Sequence, residues 1–167
     1  MDDRTAFTSA TWERSGRGRE VLGTPTGTIA TLERHRASAS IHADGVVLGG
    51  AGARGGWTLS DHATGEQLAV ADRSRWSGAR RVNLAGRELV WTPNWARSSA
   101  VLAADDGEIV LVARRRGFWV TALEVEVPAA LPFRLALAAA AIARLVWRDD
   151  EDASAAVMAS TMAGSGA

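Results

Sequence analysis

The 167-residue chain has no cysteine, no lysine and no tyrosine, only four prolines, and no net charge. Without cysteine there is no disulfide, no thiolate metal site and no thiol nucleophile. Nineteen basic and nineteen acidic side chains cancel, which removes the uniform field that gathers nucleic acid nonspecifically, so nucleic acid is not an expected partner. Every basic side chain is an arginine, and arginine stands in for lysine along the whole chain rather than in one cluster, as in the codon usage of a GC-rich bacterial genome. The opening residues Met1, Asp2, Asp3 and Arg4 lack the basic end and apolar run of a secretory signal, so a cytoplasmic location is expected.

What is present is an ordinary globular balance, 47% apolar and 23% charged, in a length that suits one domain. From Arg4 to Val127 the chain reads as short segments of period-two alternation separated by Gly and Asp turns. In one of them Ala37, Ala39, Ile41 and Ala43 face one way, Ser38, Ser40, His42 and Asp44 the other, and Asp44-Gly45 closes the strand. Comparable strands are expected at 5–13, 27–34, 46–49, 57–60, 67–72, 79–84, 87–92, 97–103, 108–114 and 118–127. About ten to twelve antiparallel strands need closure into a barrel or a second sheet.

The pattern changes at Pro128 and Pro132. Residues 133–147 contain no glycine or proline, and their Leu, Ile, Val and Ala cover nearly the whole circumference, the mark of a helix buried on every side. As a membrane span, residues 131–147 would cover about 25 Å, short of a hydrocarbon core of roughly 30 Å. Arg134 and Arg144 lie within it, so an integral membrane protein is not expected. The expected organisation is a barrel domain over 1–148, with its core helix near 131–148. A tail over 149–167, acidic and then rich in Ala, Ser and Gly, is expected to be frayed helix or disordered.

A closed meander followed by one C-terminal helix that is apolar all round resembles the tubby-like superfamily: tubby proteins, LURP-one-related proteins and phospholipid scramblases. The likeness rests on GEIVLVARRRGFWVTALEV, from Gly107, running into LPFRLALAAAAIARLVW, from Leu131, where the alanines at 138–141 suit a narrow barrel interior. The proline-rich leader of scramblases is missing, and no phosphoinositide-binding residue of tubby proteins aligns to a position here. The resemblance implies a mostly β protein, a closed antiparallel barrel around one apolar helix. It also implies a non-enzymatic binding or tethering role, peripheral at a membrane, with an anionic phospholipid or a membrane-associated protein as partner. A protein-interaction module without lipid affinity is the alternative.

Several side chains are candidates for that role. Arg114, Arg115 and Arg116, with Arg80 and Arg81, could grip a phosphorylated headgroup through bidentate bonds if they converge at one barrel rim; solvated arginines at turns and strand edges are the plainer reading. Trp76 and Trp95 stand in polar, turn-like contexts and are the tryptophans expected to be exposed to a partner or membrane interface. Residues 50–55, Gly-Ala-Gly-Ala-Arg-Gly, match a dinucleotide fingerprint with Asp72 about twenty residues on. No helical stripe follows them, so a glycine-rich hairpin is expected and a nucleotide-dependent enzyme is the remote alternative. His35, His42 and His62 show no metal-ligand spacing, and no Gly-x-Ser-x-Gly elbow marks a nucleophile. No catalytic residue, metal or cofactor is assigned.

Overall fold

The computed structural model describes residues 7–74, 77–117 and 122–164. Twelve strands precede one helix: β1 Ser9–Gly16, β2 Arg19–Thr24, β3 Gly27–His35, β4 Ser38–Ala43, β5 Val46–Ala53, β6 Gly56–Asp61, β7 Gln67–Ala71, β8 Arg80–Leu84, β9 Arg87–Pro93, β10 Ser99–Ala103, β11 Ile109–Arg116, β12 Ala122–Glu126 and α1 Phe133–Gly164. Each strand pairs antiparallel with its sequence neighbours, and β1 pairs with β12 to close the barrel. Closure leaves no free sheet edge, the hazard that a long open meander would carry.

The period of two sorts each strand. Ala10 and Trp12, Ala30 and Leu32, and Leu123 and Val125 are buried inward, while the residues between them face out. The helix fills the lumen, and every residue from 136 to 147 is buried. The alanines at 138–141 have no exposed surface, and the absence of longer side chains there lets the strands close in. Trp12 donates its indole N–H to the carbonyl of Ala140 at 3.0 Å, tying the first strand to the middle of the last element. The helix begins where Pro132, which cannot extend a ladder, offers its carbonyl to the amides of Leu135 and Ala136, both at 3.0 Å.

One strand departs from the sequence reading. Strand β2 was not expected, because its inward row is Glu20 and Leu22, and a charged residue at a core position breaks the apolar alternation. Glu20 is inward because two helix arginines need it: Arg144 bonds it through Nε and, at 3.1 Å, through Nη2, and Arg148 bonds it at 2.8 Å. The helix also runs on to Gly164, past the enclosed segment, so the tail takes the helical of its two expected forms. At the other end of the enclosed segment Arg134 bonds Asp61 at 2.9 Å and Glu66 at 2.8 Å. Both arginines that interrupt the apolar run therefore have carboxylate partners. Among the described residues no helix is long and apolar enough to cross a membrane.

Residues 50–55 belong to the β5–β6 hairpin. Ala53 pairs with Gly56 around a two-residue turn in which Arg54 and Gly55 both have positive φ, 52° and 83°, the type I′ geometry that matches strand twist. Gly56 is glycine for a packing reason, since a Cβ there would stand 2.6 Å from the carbonyl oxygen of Ala71. Strand β6 follows, so the helix N-terminus that a dinucleotide pyrophosphate requires is not there.

Candidate functional site: an arginine rim at the helix exit

Odd-numbered strands run toward the end of the barrel where α1 leaves it, and even-numbered strands run back. Alternate hairpins therefore cluster at opposite ends. Among the described arginines only Arg87 and Arg134 belong to the far end; the rest lie on strand ends and turns at the exit, or on the last enclosed turns of the helix. The far end carries Asp44, Asp61, Glu66, Asp105, Asp106 and Glu108. A chain with no net charge thus folds into a charge-polarised body, with a cationic exit rim and an acidic base.

The emerging helix divides this rim. On the β3–β6 side Arg34 is matched by helix acids, while among the described residues Arg36 and Arg54 at the turns have no ion pair. Asp149 accepts from Arg34 Nη2 and from the Trp57 indole, each at 2.7 Å, while the Arg34 guanidinium lies 5.3 Å from the Trp57 ring centroid. Asp152 is 3.9 Å from Arg34. On the β8 side Arg80, almost fully buried, donates to Asp150 at 2.7 Å and to the carbonyl of Gly55 at 3.2 Å. Burial pushes the Asp150 carboxyl above its ordinary pKa, and the positive charges of Arg80 and Arg97 only partly oppose that.

On the β9–β11 side Pro93, Arg97, Arg115, Trp147, Asp150, Glu151 and Ser154 border a cleft of about 340 Å³. Among the described residues neither Arg97 nor Arg115 has a carboxylate within ion-pairing distance. Trp147 forms one wall and donates its indole N–H to Glu151 at 3.1 Å, one helical turn on. Beside the cleft, the tight turn between β9 and β10 holds Trp95 in solvent, 96% exposed. That turn is well fixed: the Asn94 side chain accepts from the amides of Ser98 at 2.8 Å and Ser99 at 3.3 Å, and the Arg97 amide bonds the Asn94 carbonyl at 3.0 Å. The exposure of Trp95 is a property of an ordered turn.

The candidates from the sequence separate according to strand alternation. Arg114 and Arg116 point outward from the barrel wall, where they pair with Glu126, at 2.8 Å, and Glu124 across β12. Arg116 holds the Glu124 carboxyl below its usual range. Only Arg115, between them, turns to the cleft. Arg80 and Arg81 divide in the same way: Arg80 is inside, bracing Asp150, and Arg81 is outside, beside Glu88 and Asp105. The triplet and the pair therefore do not form one cluster. Trp76 lies outside the described residues. His42 faces outward and contacts the Ser40 hydroxyl at 3.2 Å, and among the described residues no three His, Cys, Asp or Glu side chains come together as metal ligands would.

Sequence reasoning did not assign Arg97, Trp147, Glu151 or Ser154 to a site. The last two lie in the segment expected to be a tail, and Trp147 ends the helix expected to be buried on every side. The available signal was the acidic run Asp149, Asp150, Glu151, Asp152 directly after an enclosed helix, which needs basic partners at the barrel mouth.

No family model and no curated protein matches the chain. Among solved structures, the chain is similar to the X-ray structure of a protein from Arabidopsis thaliana, with 17% sequence identity over 88% of this chain and 93% of that one and a TM-score of 0.58. At that identity the likeness is one of fold: the closed barrel with its C-terminal helix is an architecture that a distant sequence also reaches.

Proposed function

We propose that the protein is a non-enzymatic binding or tethering module of tubby-like type, which meets an anionic target through the arginine rim where its helix leaves the barrel. The target is a phospholipid headgroup or an acidic membrane-associated protein, met from the cytoplasm. One observation carries the reading: nearly all described arginines gather at one end of a molecule whose net charge is zero. Guanidinium groups bind phosphate and carboxylate oxygens bidentately, and a one-sided field orients the molecule as it approaches an anionic surface.

Sedimentation with vesicles tests the reading. Anionic vesicles should carry the protein down at low salt and release it at high salt, and neutral vesicles should leave it in solution, because exposed charges more than about 10 Å apart are screened at 0.1 M ionic strength. Binding that ignores both lipid charge and salt would remove the electrostatic basis. A second reading, a protein-interaction module without lipid affinity, is favoured by Trp95 and by the exposed Val157 and Met158 on the projecting helix.

A further inference from the structure

The projecting part of α1 and the β9–β11 cleft form one surface. Trp147, Glu151, Ser154, Met158 and Met162 recur at helical spacing of three to four residues, so the face that borders the cleft continues outward into methionine. Val157, three residues beyond Ser154, flanks that face. Val157 and Met158 are 65% and 67% exposed, Met162 78%. The surface is an angle: a helical wall that is polar at Asp150, Glu151 and Ser154 and apolar beyond them, a floor holding Arg97 and Arg115, and exposed Trp95 on the neighbouring turn. From this we propose that the groove binds an amphipathic helix of a partner protein, its apolar stripe against Val157 and Met158 and its carboxylates reaching Arg97 and Arg115.

The proposal rests on the anionic-target reading and narrows it, and two other occupants fit the groove less well. Residues 155–164 extend about 15 Å along the helix beyond Ser154, so lipid headgroups that meet the outer rim do not offer the helical wall an apolar partner of matching length. A second copy of this chain, brought up so that two projecting helices pack side by side in opposite directions, would press two arginine rims together. An acidic amphipathic segment satisfies both walls: it supplies the apolar face that exposed Val157 and Met158 match, and carboxylates for direct ion pairs with Arg97 and Arg115, since the cleft's own Asp150 and Glu151 are bonded to Arg80 and to the Trp147 indole.

The test uses the full chain and three probes: a fluorescent synthetic helix with a leucine stripe and glutamates clustered at one end, the same helix with lysine for glutamate, and phosphatidylserine-containing vesicles. The glutamate helix should bind and the lysine helix should not. Arg115→Glu and Met158→Glu should each weaken binding about tenfold or more, as loss of an interface anchor does. Arg87→Glu, at the far end, should leave it unchanged. Val157→Glu serves as a second apolar test on an exposed helix surface, where the barrel fold is not at stake. Equal binding of both helices, or parental affinity in Met158→Glu and Val157→Glu, would overturn the groove. Vesicle binding with no helix binding would overturn the groove and leave the anionic-target reading standing; binding to neither helix nor vesicles would overturn both.

Discussion

The inner part of α1, residues 136–147, and its outer part, residues 148–164, are both rich in alanine, yet they hold their shape for different reasons. Inside the barrel every side chain is buried, and helical form is enforced by twelve strands packed around it. Outside, polar contacts attach the helix to the rim: Arg148 to Glu20, Asp149 to Arg34 and Trp57, Asp150 to Arg80, and Asp152 near Arg34. From residue 155 to residue 164 every side chain is exposed. Helices of about ten residues are marginal in water on their own, so the outermost turns depend on the part already fixed within the barrel. Alanine inside is a steric requirement, whereas alanine outside is helix propensity. One element thus serves as core at one end and as a presenting post at the other.

The comparison can be broken most severely from the inside. Ala140→Trp should destabilise the domain by about 3 kcal/mol or more, the upper range for overpacking, read as a large loss in thermal midpoint or failure to fold. A melt like the parent's would show that the helix is not enclosed. Next in size is the junction between the two parts. Arg80→Met leaves the Asp150 carboxylate without its buried partner and should cost about 3 kcal/mol in denaturant unfolding, since a partly buried charge then goes uncompensated. Loss of the indole bond from Trp12 to the Ala140 carbonyl in Trp12→Phe should cost about 1 kcal/mol for the bond, with some further loss from the smaller ring.

The base of the barrel should answer to pH. Its bond from Arg134 holds the Asp61 carboxyl below the ordinary carboxylate range, and the Ala63 amide adds to this. A depressed folded pKa stabilises above the unfolded pKa, and that stabilisation is lost as pH falls through the folded value. Asp61→Asn should therefore lower the thermal midpoint at neutral pH, and the gap to the parent should close in acid. A gap of constant size would show that the ion pair is not what Asp61 contributes. Asp150 runs the other way: with its pKa raised by burial, its stabilising contribution is present below the unfolded value and lost as pH rises through the folded one. The smallest effect belongs to the outer post. Ending the chain after Ser154 should change stability by no more than about 0.5 kcal/mol, because the residues removed are exposed, while abolishing capture of the acidic helix.

Much of the architecture was legible because barrel strands and an enclosed helix leave different periodicities. Alternation at 37–43 and the all-round apolarity of 133–147 follow from which faces water can reach, so a meander around one helix could be read before any contact was known. Strand β2 escaped because Glu20 is inward for the sake of Arg144 and Arg148, partners more than a hundred residues away. The turns carry a related signal: those near 36, 54, 73, 97 and 116 hold arginine, while those near 44, 62 and 106 hold acids, the alternation an up-and-down barrel sorts to two ends. Composition alone conceals it, since the total charge is zero.

The sequence by itself determined eleven of the twelve strands, the enclosed helix and its alanines, because hydrophobic period and turn chemistry are local properties. Tertiary structure decided which arginines meet. Closure of β1 on β12 and the direction of each strand gather the exit rim, and the pleat sends Arg115 to the cleft while Arg114 and Arg116 face Glu126 and Glu124 outside. It also decided that the helix passes through the barrel and extends beyond it, with Trp147, Glu151 and Ser154 bordering the cleft that holds Arg97 and Arg115. The physical reason is that charge interactions act through space, between groups that register and closure bring together from distant parts of the chain.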